Sequence, residues 1–287
     1  MDLHSITFSL LLRMIPLRDN IPTRIFPYAN YTMIAICAIV FFAQLATPAN
    51  QPSLVEKYGM IPARISHPDE PITIDVAIER RMTPEGPKEV VISRPAAPSP
   101  IPAIFTMLTC IFLHGGWMHF LGNMWFLHIF GDNVEDRFGH LGYVIFYLAC
   151  GIAASIAHYA SGPDSAMPTI GASGAIAGVM GAYFISYPKA HVVTLLPLFI
   201  FWQILILPAP LFLGIWFVIQ FFQGTMSATA AEATGVAWWA HIGGFAVGVV
   251  AAWLLGKVHL LRPRNTAVRP NTQRMQMHRF HRGQHDW

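Results

Sequence analysis

Gly171-Ala172-Ser173-Gly174-Ala175-Ile176-Ala177-Gly178-Val179-Met180-Gly181-Ala182-Tyr183-Phe184-Ile185-Ser186-Tyr187-Pro188 is apolar, uncharged and of a length that reaches across a bilayer as a helix. Gly174, Gly178 and Gly181, with Ala177 and Ala182, give it a face on which another backbone can lie close. At its head stands Ser173. A second apolar stretch, Val236 to Gly256, carries His241 at its head in Ala240-His241-Ile242-Gly243-Gly244, and Gly244 with Gly248 forms a Gly-x-x-x-Gly. A nucleophile type and a base type therefore stand where hydrocarbon is expected. Ionisable groups at membrane depth are costly enough to be read as functional, each with a partner to be named. Here the two name each other.

The rest of the chain fits that setting. Of 287 residues 54% are hydrophobic and only 11% charged, against about 25% charged in soluble domains, which marks a membrane protein. Its apolar residues fall into six spans: Tyr31 to Thr47, His114 to Phe130, Leu141 to Ala160, Ala172 to Pro188, Pro208 to Gln223 and Val236 to Gly256. Residues 1–30, interrupted by Arg13, Arg18, Arg24 and three prolines, are expected to form a retained cytoplasmic amphipathic arm, not a signal peptide. Cys37, Cys110 and Cys150 lack metal-like spacing and read as packing residues, so neither a disulfide framework nor a zinc site is indicated.

Lysine and arginine set the orientation. Arg18 and Arg24 precede the first span, Arg137 follows the second, Lys189 the fourth, and a basic tail at 257–287 the sixth; the connections Ser161 to Ile170 and Gly224 to Gly235 have neither residue. Both termini are therefore expected in the cytoplasm, with the tail against anionic lipid. The connection 48–102 is long, Pro-rich and of mixed charge; Ile72 to Val76 and Glu89 to Ile92 have strand character, but its prolines predict a weakly ordered extracytoplasmic insertion. His191 to Leu207 is apolar and β-branched yet broken by Pro197. As a further span it would move the tail outside, so it is expected to be a re-entrant or interfacial segment before the fifth helix, packed on protein.

With this orientation spans two, four and six all run inward, so His119, Asn123, Ser173 and His241 lie at similar depth near their starts. A neutral imidazole at His241 that takes the Ser173 proton makes a competent nucleophile and can later protonate a leaving amine. His119 and Asn123, four apart on one helical face, and the Ser173 backbone N–H at a helix start supply donors for a developing oxyanion.

Each part has a plainer reading. A Gly-x-Ser-Gly in a membrane helix is often only packing, and a lone His is often bonded to a backbone carbonyl. His114, His119 and His128 around one span fit interfacial anchors or a metal site, but no Cys or carboxylate joins them at ligand spacing. His158 reads as interfacial. Glu135 and Arg137 read as locks of a turn, and His278, His281 and His285 as parts of a solvated tail. The joint pattern is far more specific than any part.

His114-Gly115-Gly116-Trp117-Met118-His119-Phe120-Leu121-Gly122-Asn123, Gly171-Ala172-Ser173-Gly174, Ala240-His241-x-x-Gly244-x-x-x-Gly248 and Glu135-x-Arg137 resemble, in this order, motifs of the rhomboid family of intramembrane serine proteases. The resemblance covers roughly residues 22–256. It implies an all-α membrane protein with the six-transmembrane-helix rhomboid fold, a catalytic domain over 31–256, Ser173 as nucleophile and His241 as general base without an acidic third member. Asn123, His119 and the Ser173 amide become the oxyanion hole. No cofactor and no metal are implied; the expected partners are single-span or multi-span membrane-protein substrates, not nucleic acid, cut near helix-breaking residues after a small residue. Three features depart from the family pattern. The Trp-Arg pair of the first outer loop is missing, the insertion is long, and Ala177 stands where some members carry a Tyr beneath the base, so that something else must orient His241.

A substrate helix must enter sideways, and the fifth span is the expected gate. It has no Gly-x-x-x-Gly, follows Pro208 and Pro210, and projects Phe212 and Trp216 to seal against Phe126. The rivals are a catalytically inactive rhomboid relative acting as a binding or quality-control factor, which has no reason to keep all four polar residues, and a small transporter, for which internal symmetry is missing. The expected location is a plasma membrane, the bacterial inner membrane, with the site open to the extracytoplasmic face.

Overall fold

The computed structural model describes residues 14–83, 86–198, 201–229 and 237–268. It is a bundle of apolar helices: α1 Tyr28–Ala46, short α2 Leu54–Tyr58, α3 Pro62–Ser66 and α4 Thr106–Thr109, then α5 Trp117–Phe138, α6 His140–Ser161, α7 Ser173–Ser186, α8 Ala209–Thr229 and α9 Trp238–Lys257. Among the described residues α1, α6 and α9 are each long and apolar enough to cross a membrane, and a fourth crossing is added if 103–112 and α5, bent by 78°, count together. The chain is thus a helical membrane protein, with α7 and the first part of α8 as shorter apolar helices.

At the centre lies α7. Eleven of its 14 residues are buried, as expected of a helix that is apolar on every side. Its glycines bring α9 to backbone contact: a methyl group added at Gly244 would lie 2.0 Å from the Gly174 carbonyl oxygen, and one at Gly248 would lie 2.0 Å from that of Gly178. Tyr143, Tyr147, Tyr183, Phe130 and Leu127 fill the rest of the core.

Helix α5 stops at Gly139, whose φ of 73° suits a glycine C-terminal to a helix, and α6 starts at the next residue. Glu135 in this turn accepts from the Ala29 and Asn30 amides at the start of α1, at 3.0 and 2.7 Å, and from His140 Nδ1. A buried carboxylate thus satisfies the free amides of a helix end. Arg24 pairs with Asp136 at 2.9 Å, and the Arg262 amide donates to the Arg137 carbonyl at 2.9 Å, so the first residues after α9 are tied to the same turn. The turn-locking role expected of Glu135 is what the hydrogen bonds describe. Residues 1–13 of the arm and 269–287 of the tail, with its three histidines, lie outside the described residues.

Two small sheets accompany the helices. His191 to Leu207, expected as a re-entrant or interfacial segment, falls in two strands: β4 His191–Leu198 and β5 Phe201–Pro208 pair antiparallel, and β1 Ile15–Asp19 joins β4 with Asp19 opposite Val192. The β-branched run Val192, Val193, Thr194 suits a strand. Pro197 is tolerated because it lies beyond the stretch paired with β1, where one side of the ladder is open. Trp125 Nε1 donates to the Pro16 carbonyl at 2.6 Å, and Asp19 Oδ2 accepts from Tyr183 and Asn133, each at 2.7 Å, which pins β1 against α5 and α7.

In the insertion the two runs of strand character pair, although its prolines argued against strands. β2 Thr73–Thr83 and β3 Gly86–Pro95 form an antiparallel hairpin, and Ile61, Ala63 and Ile74 make a small core beneath it. Glu56 accepts from Arg94 Nη1 and Nη2 at 2.8 and 2.9 Å and from the Ala97 amide. Met60 exchanges two backbone hydrogen bonds with Thr169, at 3.0 and 2.7 Å. The insertion therefore braces the segment that leads into Ser173.

Candidate active site

Local backbone geometry aims Ser173. Gly171, at φ 127°, takes a conformation open to glycine, and its amide donates to the Cys110 carbonyl at 2.9 Å. A side chain there would begin 2.8 Å from His119 Nε2 and 3.6 Å from Ser173 Oγ. Glycine is thus required twice, and the same measurement sets His119 and Ser173 on two sides of one small space. Ser173 then opens α7, where first-turn amides have no intrahelical acceptor.

His241 stands in the first turn of α9, buried. Its Nε2 lies 2.7 Å from Ser173 Oγ and its Nδ1 2.6 Å from Gln220 Oε1 on α8. The carbonyl oxygen of Gln220 only accepts, so Nδ1 carries the hydrogen and Nε2 offers its lone pair to the serine hydroxyl. On α5, His119 Nδ1 accepts from the Gly115 amide at 3.2 Å, which leaves Nε2–H as the donor on its other edge. Asn123 Nδ2 is buried and has no hydrogen-bond partner among the described residues. His119, Asn123, Ser173, Trp216, Gln220 and His241 line one cavity of about 550 Å³.

The four polar residues singled out in the sequence are therefore brought together. The three aromatic residues expected to seal lie beside them. Phe212 stacks on Phe130, with ring centres 6.3 Å apart, one turn beyond Phe126. Trp216 lies 5.8 Å from the His241 ring. Phe126 and Trp216 line both the polar cavity and an adjoining one of about 610 Å³ between α5 and α8, which Phe212 also lines. Of the other histidines, His114 packs against Phe41, Phe120 and His119, and His128 lies between Tyr31 and Trp125. The sequence reading passed over Gln220. Its signal was present: an amide within apolar α8, four residues after Trp216 and so on the same face, which needs a partner where water is scarce.

Apolar helices packed around a part-buried serine–histidine contact define a multi-pass membrane protein. The chain belongs to the rhomboid family: the Rhomboid domain model matches residues 102–258. It is 30% identical over 164 residues to Rhomboid-like protein 11, chloroplastic, of Arabidopsis thaliana, covering 54% of each chain. RHOMBOID-like protein 4 of the same plant is 34% identical over 163 residues, 55% of this chain and 34% of that one. Rhomboid protease GluP of Bacillus subtilis (strain 168) is 42% identical over 76 residues, 26% of this chain and 14% of that one. The matched part spans about half the length, or less, of these curated relatives.

Proposed function

We propose that this chain is an intramembrane serine endopeptidase that cleaves membrane proteins within or near their transmembrane segments. The observation that carries the reading is the 2.7 Å approach of His241 Nε2 to Ser173 Oγ on a cavity lined also by Asn123, whose Nδ2 has no partner among the described residues. Ser173 Oγ attacks the scissile carbonyl carbon as its proton passes to His241 Nε2. The oxyanion is held by the Ser173 amide, Asn123 Nδ2 and His119 Nε2–H. The tetrahedral species collapses, the C–N bond breaks, and His241 returns the proton to the leaving amine. A water then gives its proton to His241 and attacks the acyl-enzyme, which releases the new carboxylate and restores the serine.

The chain crosses the membrane six times in this reading, through α1, α5, α6, α7, α8 and α9, with both termini cytoplasmic and the site open to the extracytoplasmic face of a bacterial inner membrane. Helix α7, 14 residues, is about 21 Å long, shorter than a hydrocarbon core of about 30 Å, which favours Ser173 lying below the membrane surface. Substrate enters between α5 and α8, where the apolar cavity lined by Phe126, Phe212 and Trp216 adjoins the polar one. No cofactor takes part, and the basic tail meets anionic lipid.

A fluorophosphonate probe applied to the detergent-solubilised protein tests the reading. Labelling of the parent that is lost in Ser173→Ala is expected. An unlabelled, folded parent that still binds membrane proteins favours the inactive relative.

A further inference from the structure

Resting on that protease reading, we infer that Gln220 is the residue that orients the base, and that it makes His241 competent only while α8 is docked against α9. A serine–histidine pair needs the imidazole held with Nδ1 protonated and Nε2 facing the hydroxyl; in the other tautomer Nε2–H donates to the serine oxygen and has no lone pair to take its proton. Position 177 on α7 is an alanine, whose side chain has no ring or acceptor to offer. The Trp216 and Trp238 rings lie 5.8 and 6.0 Å from the imidazole, and an indole N–H donates only. Gln220 Oε1, at 2.6 Å from Nδ1 and on a side chain 7% exposed, is the acceptor that selects the tautomer.

The base sits on α9, the nucleophile on α7 and the orienting amide on α8. Gln220 also lines both the polar cavity and the apolar cavity between α5 and α8. A sideways displacement of α8 at this level by more than a hydrogen bond's tolerance, about 0.5 Å beyond 3 Å, releases Nδ1. Admission of a substrate and activation of the serine are then alternating states of one helix: α8 yields, then returns before the acyl transfer.

The test compares Gln220→Met, of similar length but without an acceptor, with Gln220→Glu, whose carboxyl retains one. The readouts are the rate of fluorophosphonate labelling at Ser173, KM and kcat for a single-span substrate, and the ¹⁵N imidazole resonances of His241 assigned against His241→Ala. Gln220→Met is expected to lose labelling rate and kcat on the order of 10²-fold, with KM little changed and the Nδ1–H signature gone. Gln220→Glu is expected to recover most of the loss and keep that signature. A Gln220→Met protein labelled as fast as the parent, or equal defects in the Met and Glu variants of intact thermal stability, overturns the inference. An unlabelled parent whose His241 is Nδ1-protonated through Gln220 strikes the protease reading and leaves the positioning contact standing; an Nε2-protonated parent strikes the inference alone.

Discussion

Asn123 is the clearest single residue on which to weigh the mechanism. Its amide nitrogen is buried without a partner among the described residues, and a buried unpaired donor costs about 1–3 kcal/mol unless something is to bind it. If the oxyanion is that partner, Asn123→Ala should lower kcat by about 10²- to 10³-fold with a far smaller change in KM, because the interaction is made mainly in the transition state. Steady-state kinetics on a single-span substrate reads the split, and an effect confined to KM would assign Asn123 to ground-state binding. Residues such as Ser173, His241, His119 and Asn123 were legible in the sequence because polar groups inside apolar spans stand out chemically. Gln220 was equally polar, yet no short motif contains it, since its partner lies 21 residues away on another helix.

At the scale of elements, contact between α7 and α9 depends on having no side chain in the way. Gly248→Ala places a methyl 2.0 Å from the Gly178 carbonyl oxygen, and forced overpacking costs about 1–3 kcal/mol. The helices must part, so a lower melting temperature and slower Ser173 labelling should appear together. Gly214→Ala on α8 meets nothing within 4 Å and should leave the melting temperature level or higher, since alanine is the better helix former. The insertion has its own anchor. The Arg94 guanidinium bonded to Glu56 holds its carboxyl below the usual glutamate range. A depressed carboxyl adds stability that is complete above the ordinary value of about 4.3 and is lost as pH falls through the lower folded value. Melting temperatures of the parent and Glu56→Gln should therefore differ at neutral pH and converge in acid; a constant gap would deny the ionic part of the clamp. Periodicity and apolar length made the helices readable, and the β-branched run made 191–207 readable as something other than a span. The pairing partner of that run was not readable, because β1 is five residues long and a ladder bond carries no sequence signature across such a distance. The ring contact of Phe212 with Phe130 was not readable, because apolar length does not define how deep a helix begins.

For the molecule as a whole, the six-crossing topology makes a direct prediction. Single cysteines at positions 189 and 262 should be protected from an impermeant maleimide added outside intact cells, and cysteines at positions 69 and 164 should react. This follows from the lysine and arginine asymmetry; reaction at both 189 and 262 would invert the orientation, and reaction at one alone would require an odd number of crossings between them. The three-stranded sheet bears on something other than the finished protein. Strand β1 is synthesised before its partner β4, whose Val192 stands opposite Asp19 and comes 173 residues later. At about 5–20 residues per second that strand waits roughly nine to thirty-five seconds for its neighbour, by which time the helix bearing Ser173 has already been made. That strand is thus a late fastening in the birth of the protein, with α8 and α9 still to follow.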